Sequence, residues 1–172
     1  MMQILIGFAM GIILIGVQAS LVAVLPPWLS FYNLLIPYVI FLSLFRPPSE
    51  TLLQILWVGV IMDMLSVAPR LIYVIIFMVL FILFRNIRTY FQLLDSYLFV
   101  ILIAVGIALE HLVFGMVSLM RSFRVEPSLL TLYVVLIHFL WAAVTGPLML
   151  GIFKRVFAWM DQVQVRRCKT LN

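Results

Sequence analysis

Apolar positions fill this chain in long runs separated by short polar turns, with no sustained two-residue alternation of the kind a half-buried strand needs. Six runs emerge, over 4–25, 28–45, 51–67, 71–90, 93–120 and 128–153. A helix needs about 20 apolar residues to cross a hydrocarbon core about 30 Å thick. The pattern therefore predicts an all-α, polytopic membrane protein, a six-transmembrane-helix bundle. Proline punctuates it, because proline removes a backbone donor and disfavours the helical conformation of the residue before it. Pro26 and Pro27 close the first run, and Arg46, Pro47, Pro48, Ser49 and Glu50 make the turn into the third. Ala68, Pro69 and Arg70 close the third, and Pro37 is expected to kink the second. The first run lacks a basic leader and is long for a signal peptide, so it reads as a retained span. Residues 154–172 form a basic tail in which Phe153, Val156, Phe157, Met160 and Val163 follow helical spacing, as in an amphipathic helix lying on anionic lipid.

Composition turns the pattern into a class. Hydrophobic residues make up 66% and charged residues 10% of the 172 positions, and the mean hydropathy is +1.27. Soluble domains carry about 25% charged residues. Six spans consume the length and leave no room for a separate soluble domain. The net charge of +5 does not point to nucleic acid, because the basic residues lie in turns and the tail instead of a stripe interleaved with aromatics. They report topology. Arg46, Arg85, Arg88, Lys154, Arg155, Arg166, Arg167 and Lys169 fall on one side of a six-span chain, and Arg70, Arg121 and Arg124 on the other. The positive-inside rule then places both termini in the cytoplasm, with Lys154, Arg155, Arg166, Arg167 and Lys169 meeting lipid or a cytoplasmic partner. A single cysteine, Cys168, excludes an intramolecular disulfide and a cysteine-based metal cluster.

Candidate chemistry rests on a few ionisable residues inside the apolar runs. Asp63, Glu110, His111 and His138 fall at similar depth in the outer half of the membrane under this topology. A charge at the centre of a membrane helix costs about 2.5–3.5 kcal/mol on the insertion scale, so such residues face the bundle interior and find partners. A shared buried polar cluster is the economical arrangement. Asp63 is expected to pair with Arg70 or to be protonated, and Glu110 to pair with Arg121, Arg124 or His138. Each acid serves either structural pairing or a ligand or proton site. Asp95 reads as an interfacial N-cap near Arg88.

The third and fifth runs echo one another, with Gly59 one helical turn before Asp63 and Gly106 one turn before Glu110. Glycine on the carboxylate's face admits a neighbouring helix against it. Gly7 and Gly11, with Gly16 beyond, clear a face of the first run, either for packing within the bundle or for a partner helix. Catalytic signatures are missing from the chain. It has no HExxH, no GxSxG and no glycine loop for phosphate, and the adjacent Glu110 and His111 lie about 100° apart on a helix. Neither an enzyme nor a cofactor or metal site is expected.

Several motifs resemble one family, the bacterial rod shape-determining protein MreD. Tyr32-Asn33-Leu34-Leu35 is similar to that family's Pro-Asp-Leu-Leu-like pattern, with Tyr32 where proline is common. Gly59-Val60-Ile61-Met62-Asp63-Met64-Leu65-Ser66 resembles its G-x-x-x-D-L-L-S. Ser122-Phe123-Arg124-Val125-Glu126, and Gly146-Pro147-Leu148-Met149-Leu150 through Lys154-Arg155-Val156, resemble its final turn and span. The resemblance implies a non-enzymatic component of the rod, or elongation, complex in the bacterial cytoplasmic membrane. Its partners would be an MreC-like single-span protein, and with it MreB filaments and peptidoglycan synthases. The implied fold is like that of the S-components of vitamin transporters. The rival reading is a small-molecule carrier or S-component-like binder with Asp63, Glu110, His111 and His138 as its polar floor.

Overall fold

The computed structural model describes residues 2–24, 32–66, 71–87, 96–121 and 129–170, with side chains over 5–24, 32–66, 71–87, 98–117 and 133–159. These residues form six α-helices and no strand: α1 (Met2–Val24), α2 (Leu35–Phe45), α3 (Pro48–Leu65), α4 (Ile72–Ile87), α5 (Ser96–Arg121) and α6 (Leu129–Thr170). Within α1, α5 and α6, the stretches Leu5–Val24, Leu98–Val117 and Tyr133–Trp159 are long and apolar enough to cross a membrane. Pro26, Pro27, Arg70, Arg88, Asp95 and Arg124 lie outside the described residues, as do the side chains of Arg121, Met160, Val163, Arg166, Arg167, Cys168 and Lys169.

The helices form an arc around α2. Along it α1 packs on α3, α3 on α4, α4 on α5 and α5 on α6, while α2 touches all five. Its sequence explains the place, since LIPYVIFLSLF is apolar on every face. A helix of that kind is stable only where apolar groups surround it. Every residue from Leu35 to Leu44 is buried. The surrounding helices turn one side inward, as Ile72, Ile76, Phe77, Leu80 and Phe84 of α4 do, and leave Ile75, Val79 and Ile82 outward. An apolar outer surface suits a protein whose solvent is lipid.

Two expectations change here. The second run, 28–45, is not one helix over its described part: α2 starts at Leu35, and its 11 residues span roughly 16 Å at the helical rise. Pro37 therefore sits in the first turn, where its missing N–H would have had no helical partner, and not at a mid-helix kink. The second change concerns the boundary at 153. The helix α6 continues without a break to Thr170, and Phe153 and Phe157 are buried. Both rings meet Phe41 of α2, at 5.3 Å and 5.2 Å between centroids. The aromatic spacing read as a lipid-facing stripe instead docks α6 on the central helix.

Leu71, immediately before α4, has a left-handed φ of 72°. A residue with a Cβ is strained there by roughly 1–2 kcal/mol, and glycine is not. Leu71 is exposed, so little packing is lost on its removal. Leu71→Gly is expected to stabilise the protein by about 1 kcal/mol after the added chain entropy of glycine. Thermal unfolding in detergent checks this through a rise in Tm, and a fall would contradict the strain.

Candidate functional site

The polar groups gather around the N-terminal end of α2. Three buried residues, Tyr32, Asn33 and Leu34, lead into the helix, and Leu34 already has helical backbone angles. Each is tied to a different helix. Gln18 of α1 accepts the Leu34 N–H through Oε1 at 3.0 Å. Asn33 Nδ2 donates to Glu110 Oε1 of α5 at 3.0 Å. Tyr32 and Thr145 of α6 are joined through their hydroxyls at 2.7 Å, and Thr145 gives its own proton to the Trp141 carbonyl at 2.7 Å. Asn33 also caps the helix, because its Oδ1 accepts from the Leu35 N–H at 3.1 Å and its carbonyl from the Ile36 N–H at 3.0 Å.

The C-terminal end of α2 is closed as fully. The Leu42 carbonyl accepts from the Thr51 hydroxyl at 3.1 Å and from the Arg46 N–H at 3.0 Å. Arg85 reaches from α4 to the Arg46 carbonyl at 2.9 Å, putting a cation at a helix C-terminus, where the macrodipole favours it. Arg46 lies over the Phe157 ring at 4.3 Å and Lys154 over Phe45 at 5.8 Å. Arg46, Arg85 and Lys154 thus share one end of the bundle, and Arg155 beside them is exposed. In the middle, the Tyr38 hydroxyl donates its one proton to the Gly7 carbonyl at 2.7 Å and lies 3.2 Å from Gln54 Oε1.

The expected pairing of Asp63 with Arg70 lies outside the described residues, and the partners that Asp63 shows are backbone donors. Its two oxygens accept from the backbone N–H groups of Tyr73 and Val74, at 3.0 Å and 3.2 Å, in the first turn of α4. One turn earlier, a Cβ on Gly59 would lie 3.0 Å from the Val74 Cα, so the missing side chain lets α4 come close enough for the carboxylate to reach. The second half of the echo works alike. A Cβ on Gly106 would lie 2.6 Å from Ile36 Cγ2 of α2, and one turn later Glu110 holds the Asn33 that caps the same helix. His111 and His138 make a separate bridge between α5 and α6, with Nε2 and Nδ1 3.0 Å apart and rings stacked at 5.1 Å. The four ionisable residues therefore serve three contacts. Tyr73 stands between the acids, with its backbone on Asp63 and its ring 5.6 Å from Phe114, one turn beyond Glu110.

Gly7 and Gly11 pack internally, against Gln54 and Val58 of α3. Gln18, Asn33, Gln54 and Tyr73 were not singled out by the sequence as site residues. Their signal was that of any isolated amide or hydroxyl in an apolar run, which has to find a partner where there is no water. No group of three or more His, Cys, Asp or Glu side chains able to hold a metal occurs among the described residues. A cleft of about 420 Å³ opens between Ile15, Gln18, Ala19 and Val22 of α1, Met62, Leu65 and Ser66 at the end of α3, and Tyr73 of α4.

No family model, curated protein or solved structure matches the chain. The chemistry open to the site is thus argued from its geometry, which shows acids holding helix ends.

Substitution separates that role from a charge-dependent one. Asp63→Asn keeps one oxygen for a backbone N–H and is expected to cost about 1 kcal/mol, whereas Asp63→Leu strands both donors and is expected to cost about 2–4 kcal/mol. Glu110→Gln and Glu110→Leu are expected to follow the same order through Asn33. Unfolding in detergent measures both pairs; equal losses for the amide and leucine variants would show that charge, not acceptor geometry, is what matters.

Proposed function

We propose that this protein is a non-catalytic, six-span scaffold of the bacterial cytoplasmic membrane, of the kind represented by MreD in the rod complex, with an S-component-like fold. The observation that carries the reading is the commitment of its intramembrane acids: Asp63 is bound to the first turn of α4 and Glu110 to the cap of α2. Groups used in this way give a rigid bundle. The shared basic end formed by Arg46, Arg85 and Lys154 supports a cytoplasmic placement of that end, and with it of both termini. The motif Tyr32-Asn33-Leu34-Leu35 and the segment Gly59 to Ser66, which carry the resemblance, are also the segments that lock α2 and α4.

In this reading a single-span, MreC-like partner docks on the apolar outside of the bundle. Among the glycines of α1 the open one is Gly16, where an added Cβ would meet nothing within 4 Å, as is also true of Gly115 and Gly151, whereas Gly7 and Gly11 face Gln54 and Val58 of α3. Ile12, Ile13 and Val17 flank Gly16 and are exposed. The lane suits a close helix crossing.

Membrane pull-down with mass spectrometry tests the proposal. Wild-type protein should co-purify with a single-span protein bearing an extracytoplasmic domain. Gly16→Leu should cut that recovery roughly tenfold, a change of about 1.4 kcal/mol in association, while leaving Tm unchanged. Gly11→Leu, whose Cβ would meet Val58 at 2.9 Å, should lower Tm instead. Recovery of transporter ATPases in place of a single-span protein would overturn the scaffold reading in favour of a carrier.

A further inference from the structure

The cleft between α1, α3 and α4 is built for a ligand, on grounds independent of the scaffold reading. Its floor is buried, with Ile15 6%, Gln18 8% and Met62 8% exposed, and its lips are apolar and open, with Val22 67% and Leu65 62% exposed. Apolar lips on a membrane helix open toward hydrocarbon and not toward water. The volume of about 420 Å³ falls in the range of small-ligand sites, roughly 300–1,000 Å³.

Gln18 gives the cleft its chemistry. The Leu34 N–H fixes its amide by occupying Oε1, and a trigonal amide then directs Nε2 away from that bond. No fully enclosed side-chain nitrogen or oxygen among the described residues lacks a partner, and no described residue accepts from Nε2. The nitrogen therefore reaches open space in the cleft it lines, with its N–H donors unmatched. An unmatched donor in an apolar setting is costly until an acceptor arrives. Among the described residues, no cationic side chain lines the cleft, so an uncharged acceptor suits it better than an anion.

We propose that the cleft binds an uncharged lipid that presents a carbonyl oxygen to Gln18 Nε2 and lays its hydrocarbon between Val22 and Leu65. Two membrane sources carry that chemistry, the acyl ester of a glycerolipid and the ring carbonyl of an isoprenoid quinone.

The test uses full-length protein in nanodiscs doped with a diacylglycerol, an uncharged lipid, whose ester-linked acyl chain carries a diazirine. Cross-links mapped by mass spectrometry should concentrate on residues 15–22 and 62–66. A dialkyl ether analogue with the same diazirine should label these peptides about tenfold less, as loss of one hydrogen bond implies. Val22→Trp fills the cleft from an exposed position, so it should abolish labelling there and leave labelling around Leu140 and Leu148 of α6 intact. Gln18→Leu should erase the ester-over-ether preference. Displacement of the label by an added isoprenoid quinone at equimolar amounts assigns the quinone source, and its persistence assigns the ester. Equal labelling by ester and ether probes, labelling spread evenly over all outward faces, or displacement by a polyprenyl phosphate would overturn the proposal.

Discussion

A helix too short to cross a membrane must have the terminal N–H and C=O groups that it buries satisfied by protein, and α2 is such a helix. Ten of its 11 residues, Leu35 to Leu44, are buried among the five other helices, where each unpaired backbone group would cost several kcal/mol. The other helices are positioned by the need to supply those partners. Gln18, Asn33 and Glu110 serve one end, and Thr51 and Arg85 the other. Burial holds α2 in place without direction, since its apolar faces are nearly equivalent. The hydrogen bonds at its ends fix its register and rotation.

The repeated pairing of a glycine with an acid one turn later follows from the same constraint. Close approach alone brings an unsatisfied helix terminus against an apolar wall, and an acid alone stands too far from the terminus to reach it. Together, at Gly59 with Asp63 and at Gly106 with Glu110, they admit the neighbour and then accept its donors. A carboxylate suits the task better than a hydroxyl. It has two oxygens for the two N–H groups of Tyr73 and Val74, and its negative charge meets the positive end of the α4 dipole.

Much of this was legible in the chain before its fold was known. Hydropathy indicated an all-helical membrane protein, and three helices meet the length and apolarity of a span. The glycine–acid echo, read as an opening for a neighbouring helix, lies at two helix-end contacts. Less visible were the partners. Hydropathy cannot distinguish a span from a helix buried in a bundle, because both are apolar on every side. That is why 28–45 read as one crossing and Pro37 as a kink, although Asn33 ends the non-helical entry and proline fits the first turn. Phe157 misled for a related reason: a ring facing α2 and a ring facing lipid occupy the same position on a helical wheel. The amides of Gln18 and Gln54 were unassigned because an amide's partner is set by tertiary placement and leaves no periodic trace.

The use of the polar groups also bears on what kind of membrane protein this is. A carrier works by letting buried polar groups exchange internal partners for cargo as it changes state, so their internal bonds must be releasable. Here, releasing Asp63 frees the first turn of α4, and releasing Glu110 frees the side chain that caps α2. Each exchange would unseat a helix end in a medium that offers no replacement donor or acceptor. The arrangement favours one fixed state over exchange between states. Gln18 stands both at the entry to α2 and at the cleft, with an oxygen that accepts the Leu34 N–H and a place in the lining of the cleft. The cleft and the element on which the fold is hung are thus linked through a single side chain.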